Sequence, residues 1–314
     1  MTIPDTPASA AVLGAGTIGS SAAVWLAAHG IPVTIVTRRP QALAEVPVAA
    51  EHRLARLVAL GALAEDRADA ARRNLRVRLG LPTDEAFSLI YEAVGEDLAA
   101  KRAALAGAEA SLATDGILVT STSSLPLDEL AAPLDAPERF AAWHWFNPAD
   151  LMELVEIIPG GRTDDVVIAT LRRWSASVGK RAIVLRRQVP GFVANRLQYA
   201  LLREAYALVE AGVCMPEDID VAVTAGLGAR WAAIGPFASM DLAGLAVHAA
   251  VAGALFPALS NETAVPDTLA RLRRAGAGGA RAGQGLLGAY GPDRVDALED
   301  LRDRTLVGLK RRFR

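Results

Sequence analysis

A single cysteine, Cys214, carries all the thiol chemistry available to this chain. One thiol can build neither an internal disulfide nor a thiolate zinc site, so a reducing compartment, the cytoplasm, is expected and no metal centre is. Apolar runs of about 18 residues, the length needed to span a bilayer, are also missing. The opening "MTIPDTPASA" lacks a basic start followed by an apolar stretch, so neither export nor membrane attachment is expected. Net charge is close to absent: 33 basic residues stand against 35 acidic ones, leaving no electrostatic footprint for nucleic acid. Lysine is scarce, with only Lys101, Lys180 and Lys310, so arginine supplies nearly all positive charge.

What remains is globular in composition, 52% hydrophobic and 22% charged. At 314 residues the chain exceeds one ordinary domain, and two are expected. Short β-rich runs alternate with helical patterns in the first half: "AAVLG", "PVTIVT", "LRVRL", "LIYEAV", "ILVTS", "FAAWHW", "LVEIIP" and "AIVLR". Such alternation predicts a mostly parallel sheet with helices on both faces. Between Pro40 and Leu79 the spacing of Leu54, Leu57 and Val58 turns helical, with Gly61 as a break, which predicts a helical arm projecting from the sheet. After "VPGFVANR" the strand-like runs stop and amphipathic helical patterns take over. Pro190 and Gly191 punctuate the change, so the domains are drawn at 1–188 and 189–314.

Gly14, Gly16 and Gly19 stand directly after the first strand and at the start of a helix, with Thr17 and Ile18 inside the motif. Gly-x-Gly-x-x-Gly in this setting makes a tight turn, lets backbone approach a pyrophosphate, and packs helix closely on strand. The first domain therefore reads as α/β of the Rossmann type, followed by an all-helical domain. Missing, however, is the acid that ordinarily ends the second strand and holds the ribose 2′-hydroxyl. Thr37, Arg38 and Arg39 occupy that place. Losing a carboxylate and gaining guanidinium donors favours a 2′-phosphate, so NADP is the expected cofactor and NAD the second choice. A pair of solvated surface arginines is the competing explanation.

Of four histidines, His29 lies at a helix end where capping explains it, and His52 and His248 fall in helical stretches as structural residues. His144 ends one strand, Ser123 follows another, and Glu156 lies within a third. Strand ends of this kind converge where ligands bind in α/β sheets.

The neighbourhood of His144 resembles the 3-hydroxyacyl-CoA dehydrogenase family, in the branch containing L-gulonate 3-dehydrogenase (lambda-crystallin) and L-carnitine dehydrogenase. The similar pieces run in order: "VLGAGTIG", "YEAVGEDLAAK", "STSSL", "HWFNP", "LVEII", "PGFVANR" and "GVCMPEDIDVAVTAGLG". By this resemblance His144 is the general acid/base and Glu156 the carboxylate that holds and polarises it. Ser123 and Asn195 match residues that hydrogen-bond the reacting oxygen or the carbonyl region. Glu96, Lys101 and Asn147 match contacts near the nicotinamide half of the cofactor.

Two departures bear on the substrate. The family's Lys-Thr-Gly-x-Gly-Phe-Tyr segment reads "RAGQGLL" here, with Arg281 in the lysine's place as a cofactor contact. The arm lacks the lysine-rich run that acyl-CoA enzymes use near the CoA phosphates, which argues against a CoA ester. "GLGARWAAIGPF" is similar to the gulonate and carnitine branch, which implies that Arg230 binds a free carboxylate with Trp231 as a wall. The expected activity is hydride transfer between a nicotinamide cofactor and a small 3-hydroxy or 3-oxo acid, in a homodimer formed through the helical domain. A 3-hydroxyacyl-CoA or carrier-bound acyl dehydrogenase is the alternative. A non-catalytic cofactor-binding protein is the alternative of another class.

Overall fold

The computed structural model describes residues 4–82 and 84–312, and the chain divides after Val193 into two units. In order, the first unit contains β1 (Ala10–Leu13), α1 (Thr17–Ala28), β2 (Val33–Thr37), α2 (Ala42–Ala59), α3 (Glu65–Asn74), β3 (Leu75–Leu79) and β4 (Phe87–Glu92). It continues with α4 (Leu98–Glu109), β5 (Leu112–Thr120), α5 (Leu127–Ala131), β6 (Phe140–Trp145), β7 (Leu154–Pro159), α6 (Asp165–Ser177) and β8 (Arg181–Val184). Every β-rich run of the first half thus becomes a strand, and all join one sheet in the order β3-β2-β1-β4-β5-β6-β7-β8.

All neighbours pair in parallel except β6 with β7. Only residues 146–153 join those two strands, too short a connection for a crossover helix, so the chain must return antiparallel. Strand order reverses between β1 and β4, which opens a crevice at their carboxyl ends. All four residues of β1 are buried, as a parallel strand covered on both faces requires. On one face Leu105 of α4 and Leu127 and Leu130 of α5 pack with Leu13, Ile90, Leu118 and Ile158; α1 packs on β1, β2 and β3, and α6 on β6, β7 and β8. The edge strands carry charge, Arg76 and Arg78 on β3 and Arg181 on β8, which discourages edge-to-edge association.

The predicted arm consists of α2 and α3, divided at Gly61 in the left-handed region (φ 64°). It does not stand clear of the sheet. Ala68 and Ala71 are buried, and Arg67 Nη1 and Asn74 Nδ2 donate to the carbonyls of Ala28 and Ala27 at the end of α1. Small side chains on α3 allow this close approach, which an apolar-periodicity reading does not register. His29 caps α1, its Nδ1 bonded to the Trp25 carbonyl at 2.8 Å.

The boundary falls five residues beyond the position drawn from Pro190 and Gly191. Phe192 is buried with the first unit's core, and the Val193 N–H donates to Glu156, so the turn belongs to the sheet it leaves.

The second unit contains α7 (Ala194–Glu210), α8 (Pro216–Val221), a π-helical segment Ala222–Leu227, α9 (Gly228–Ala233), α10 (Pro236–Ala243), α11 (Leu245–Leu255) and α12 (Asp267–Arg274). It ends with a hairpin of β9 (Gln284–Gly285) and β10 (Gly288–Ala289), then α13 (Pro292–Arg312). That small hairpin is the exception to an all-helical domain. Among the described residues of this unit only Asp303 and Val307 are buried, while large apolar side chains such as Phe237 (81% exposed) face outward. No single helix among the described residues is long and apolar enough to cross a membrane.

Candidate active site

The glycine turn after β1 separates three physical requirements. Gly14 has φ +114°, and a Cβ there would lie 2.5 Å from the Ala93 carbonyl oxygen, so the β1 and β4 ends abut. A Cβ on Gly19 would meet the Gly14 carbonyl oxygen at 2.2 Å, so α1 packs directly on the turn. Gly16 meets nothing within 4 Å and is exposed together with Thr17. No side chain caps α1 and no acid lies in its first turn, which leaves the N–H groups of that turn open to an anion. This cradle suits the pyrophosphate of a dinucleotide. Thr37 is buried at the end of β2, accepting from the Arg39 N–H; Arg39 is engaged with Glu45 at 3.0 Å, and Arg38 is exposed with no ion pair among the described contacts.

At the end of β4 lies a buried ionic cluster. The Lys101 ammonium, 0% exposed, donates to both oxygens of Glu92 at 2.9 and 3.0 Å and to the Val94 carbonyl at 3.2 Å. Thr120 Oγ1 and the Val94 N–H complete the shell of Glu92 at 2.6 and 2.7 Å. Burial pushes the Glu92 carboxyl above its ordinary value, against the pull of Lys101 and these hydrogen bonds. Lys101 is therefore not a surface contact for a cofactor. A second carboxylate, Glu96, stands nearby, with its Oε2 3.4 Å from the ammonium.

Glu96 in turn gathers the segment after β5. Its Oε1 accepts from Thr122 Oγ1 at 2.7 Å, from the Ser123 N–H at 2.9 Å, and from the Ser123 and Ser124 hydroxyls at 3.3 Å. Burial would raise Glu96, but the bonds from Thr122 and Ser123 and the charge of Lys101 outweigh it and hold the carboxyl below its usual range. Two residues chosen from sequence, Glu96 and Ser123, thus meet in one polar ring at the carboxyl edge of the sheet.

His144 and Glu156 are direct cross-strand partners on β6 and β7. Nδ1 of His144 lies 2.9 Å from Oε2 of Glu156, and Oε1 of Glu156 accepts from the Val193 N–H at 3.0 Å. Glu156 is 0% exposed and His144 6%. A buried carboxylate needs such partners, and with the carboxylate accepting, Nδ1 carries the proton of this contact. Phe146 and Phe192 stand edge-on to the imidazole at ring distances of 4.5 and 5.4 Å, fixing its plane.

The loop joining β6 to β7 carries Asn147, which is exposed, on a clamped base. Arg53 of α2 grips the buried Asp150 with two nitrogens, Nη2 to Oδ1 at 2.6 Å and Nε to Oδ2. Lys180 Nζ donates to the carbonyls of Ala149 and Met152 and sits 4.6 Å from the Trp145 ring and 5.2 Å from that of Trp25. None of Arg53, Asp150, Lys180 or Glu92 was singled out from sequence. Arg53 and Asp150 are 97 residues apart and Lys180 stands still farther along the chain from Trp25, and no local spacing announces such pairs.

The remaining predicted residues belong to the second unit. Asn195 lies in the first turn of α7, and Arg230 and the 40% exposed Trp231 lie on α9, directly after the π-helical segment. Arg230 makes no ion pair among the described contacts. Arg281 is bound to Glu299 of α13 through Nη2 at 2.5 Å and Nε at 3.1 Å, so its charge is already engaged.

Comparison with known proteins agrees with this anatomy. Residues 9–189 match the model of the 3-hydroxyacyl-CoA dehydrogenase NAD binding domain, and residues 191–288 match that of the 3-hydroxyacyl-CoA dehydrogenase C-terminal domain. The chain is 34% identical over 301 residues to 5-formyl-3-hydroxy-2-methylpyridine 4-carboxylate 5-dehydrogenase of Mesorhizobium japonicum, covering 96% of each protein. It is 35% identical to L-carnitine dehydrogenase of Streptomyces coelicolor over 78% of this chain and 76% of that one. Among solved structures, 5-formyl-3-hydroxy-2-methylpyridine 4-carboxylic acid 5-dehydrogenase, described as an NAD+ dependent dismutase, gives a TM-score of 0.89 at 33% identity over 97% of both chains. The (S)-3-hydroxybutyryl-CoA dehydrogenase of Ralstonia eutropha gives 0.73 at 28% identity, over 91% of this chain and 100% of that one. Ordered motifs, an eight-stranded sheet reversing at β1 and β4, and these matches place the chain in the 3-hydroxyacyl-CoA dehydrogenase family.

Proposed function

We propose that this protein is a nicotinamide-dependent dehydrogenase of a small free acid, oxidising an alcohol β to the carboxylate or reducing the matching 3-oxo acid. The observation that carries the reading is the buried His144–Glu156 pair, 2.9 Å apart, on the sheet that bears the glycine turn. The dinucleotide, when bound, supplies or accepts the hydride. In reduction, His144 as imidazolium gives its Nε2 proton to the oxygen that becomes the alcohol, and Glu156 stabilises the cation before transfer. In oxidation, neutral Nε2 takes the hydroxyl proton. Ser123 holds the reacting oxygen by a hydrogen bond, and Asn195 serves the carbonyl region.

A free acid is favoured because the arm, with five arginines against five acids in α2 and α3, has no net positive charge to offer CoA phosphates. It contains no lysine, Arg53 is committed to Asp150, and Arg72 to Glu51, Glu65 and Asp69. The pyridine carboxylate and carnitine enzymes are both named for substrates that are free acids. A thioester substrate is the second reading, favoured by the similarity to the 3-hydroxybutyryl-CoA enzyme. Turnover of L-carnitine, 3-hydroxybutyrate and 3-hydroxybutyryl-CoA, each with NAD and NADP, separates the two. Faster turnover of the CoA ester overturns the free-acid reading. If Arg230 meets the carboxylate, Arg230→Met raises KM at least about tenfold for a free acid, the order of one charged hydrogen bond, and little for its methyl ester. Equal changes for both would remove the carboxylate role.

The 2′-phosphate reading narrows to Arg38, since Arg39 is engaged with Glu45. One charged hydrogen bond of roughly 1.5–3 kcal/mol still favours NADP by about an order of magnitude. That preference would set this chain apart from its NAD-dependent relative. The Thr37→Asp, Arg38→Ala double variant should reverse the order of affinities in a fluorescence titration; tighter binding of NAD than NADP by the unmodified protein sinks the idea.

The homodimer belongs to the same proposal. Phe237, Leu242, Leu245 and Phe256 on the second unit are more than two-thirds exposed, and covering them with a second copy would remove that apolar area from water.

A further inference from the structure

We propose that residues 188–193 form a positioning strap, in which Gln188 acts on catalysis through Ser123 while Phe192 and Val193 fix the His144–Glu156 pair. The proposal rests on the roles given above to Ser123 and His144. Gln188 is partly buried, and its side-chain amide spans the turn that follows Ser123. Its Oε1 accepts from the Leu127 N–H at 2.8 Å, and its Nε2 donates to the Leu125 carbonyl at 2.7 Å. From the other side Glu96 holds the Thr122 hydroxyl and the Ser123 N–H. The turn bearing Ser123 is thereby pinned at both ends, and Gln188 is the only one of the two grips that touches neither Ser123 nor the glycine turn.

Three residues further on, Gly191 (φ 75°) and Phe192 (φ 52°) both adopt left-handed backbone. Glycine does so freely; phenylalanine does so under strain, and such a conformation persists where its surroundings over-determine it. Here the Phe192 ring is fully buried and edge-on to His144, its N–H bonds the Val189 carbonyl at 3.0 Å, and the next N–H holds Glu156. One hexapeptide therefore touches both the turn of the oxygen-binding serine and the proton-transferring pair. Core packing alone explains a buried phenylalanine, but not an amide spent on two backbone groups in the turn just after Ser123.

A double-mutant cycle tests the strap, using the member of the substrate panel that the unmodified enzyme turns over fastest. Gln188→Leu should lower kcat about tenfold with dinucleotide affinity unchanged, and should cost less than about twofold in a Ser123→Ala background, because residues acting through one another are not additive. Gln188→Glu keeps the acceptor toward Leu127 but sets a carboxylate oxygen against the Leu125 carbonyl, so it should show the same non-additivity, and it serves if the leucine variant does not fold. Equal losses in both backgrounds, or full kcat in both Gln188 variants, overturn the strap. Should His144→Ala remain fully active, the acid/base reading falls and the strap with it; additive losses alongside an inactive His144→Ala remove the strap alone.

Discussion

His144→Ala lowers kcat by roughly a hundredfold to ten-thousandfold, the span a positioned acid/base contributes, while dinucleotide affinity stays within about twofold. The size of the effect follows from what alanine takes away. The ring of His144 is held by a buried carboxylate, through a 2.9 Å contact across adjacent strands. Without the imidazole, the proton must come from water, which no ring holds against the reacting oxygen. The cofactor cradle is built from other residues, Gly14, Gly16 and Gly19 and the first turn of α1, so binding should be spared. Fluorescence titration of the dinucleotide and steady-state turnover, measured on the same preparation, separate the two effects. Retained turnover would remove His144 from the chemistry. Loss of turnover together with loss of dinucleotide binding would instead point to a collapsed fold.

Why the pair could be read from sequence, and its supports could not, has a physical basis. A parallel sheet covered on both faces writes itself as separate apolar runs, and each of the eight runs, from "AAVLG" to "AIVLR", became a strand. His144 and Glu156 are twelve residues apart with a short return between them, and antiparallel pairing sets them opposite one another. The pairing itself came from the family resemblance, and the short return is what lets the two strands realise it. Arg53 and Asp150 are separated by 97 residues, and Gln188 reaches back more than 60 to hold the turn after Ser123. Contacts of that separation depend on how the helices lie on the sheet, which periodicity does not encode. The projecting arm failed for the same reason: Leu54 and Leu57 announce an amphipathic helix, but the buried alanines Ala68 and Ala71 decide that α3 lies against α1. In the second unit the helical character was legible, whereas the hairpin at Gln284 depends on glycines that a helix-or-coil reading passes over.

Lys101 carries the second large effect, and it concerns stability. Lys101→Met should lower the unfolding free energy by about 3–5 kcal/mol, because removing one partner of a buried ion pair strands the other. For a unit of this size that corresponds to roughly 6–20 °C in melting temperature. Glu92 is the stranded group: it is fully buried and has its two oxygens on the ammonium. Burial already pushes its carboxyl up, and the lysine is what pulls it back toward ionisation. With the lysine gone, the folded-state value rises further above the unfolded one. An acid in that position is tolerated while protonated and becomes costly as pH climbs through its folded value, so the deficit should deepen with rising pH and shrink below the unfolded carboxyl range. Adding Glu92→Gln should recover most of the loss, since the glutamine oxygen still accepts from the Val94 N–H and its NH2 can donate to the Thr120 hydroxyl, with no charge to neutralise. Thermal melts at several pH values check each step. If Lys101→Met leaves the melt unchanged and weakens only dinucleotide binding, the ammonium works at the cofactor and the buried-pair account is wrong.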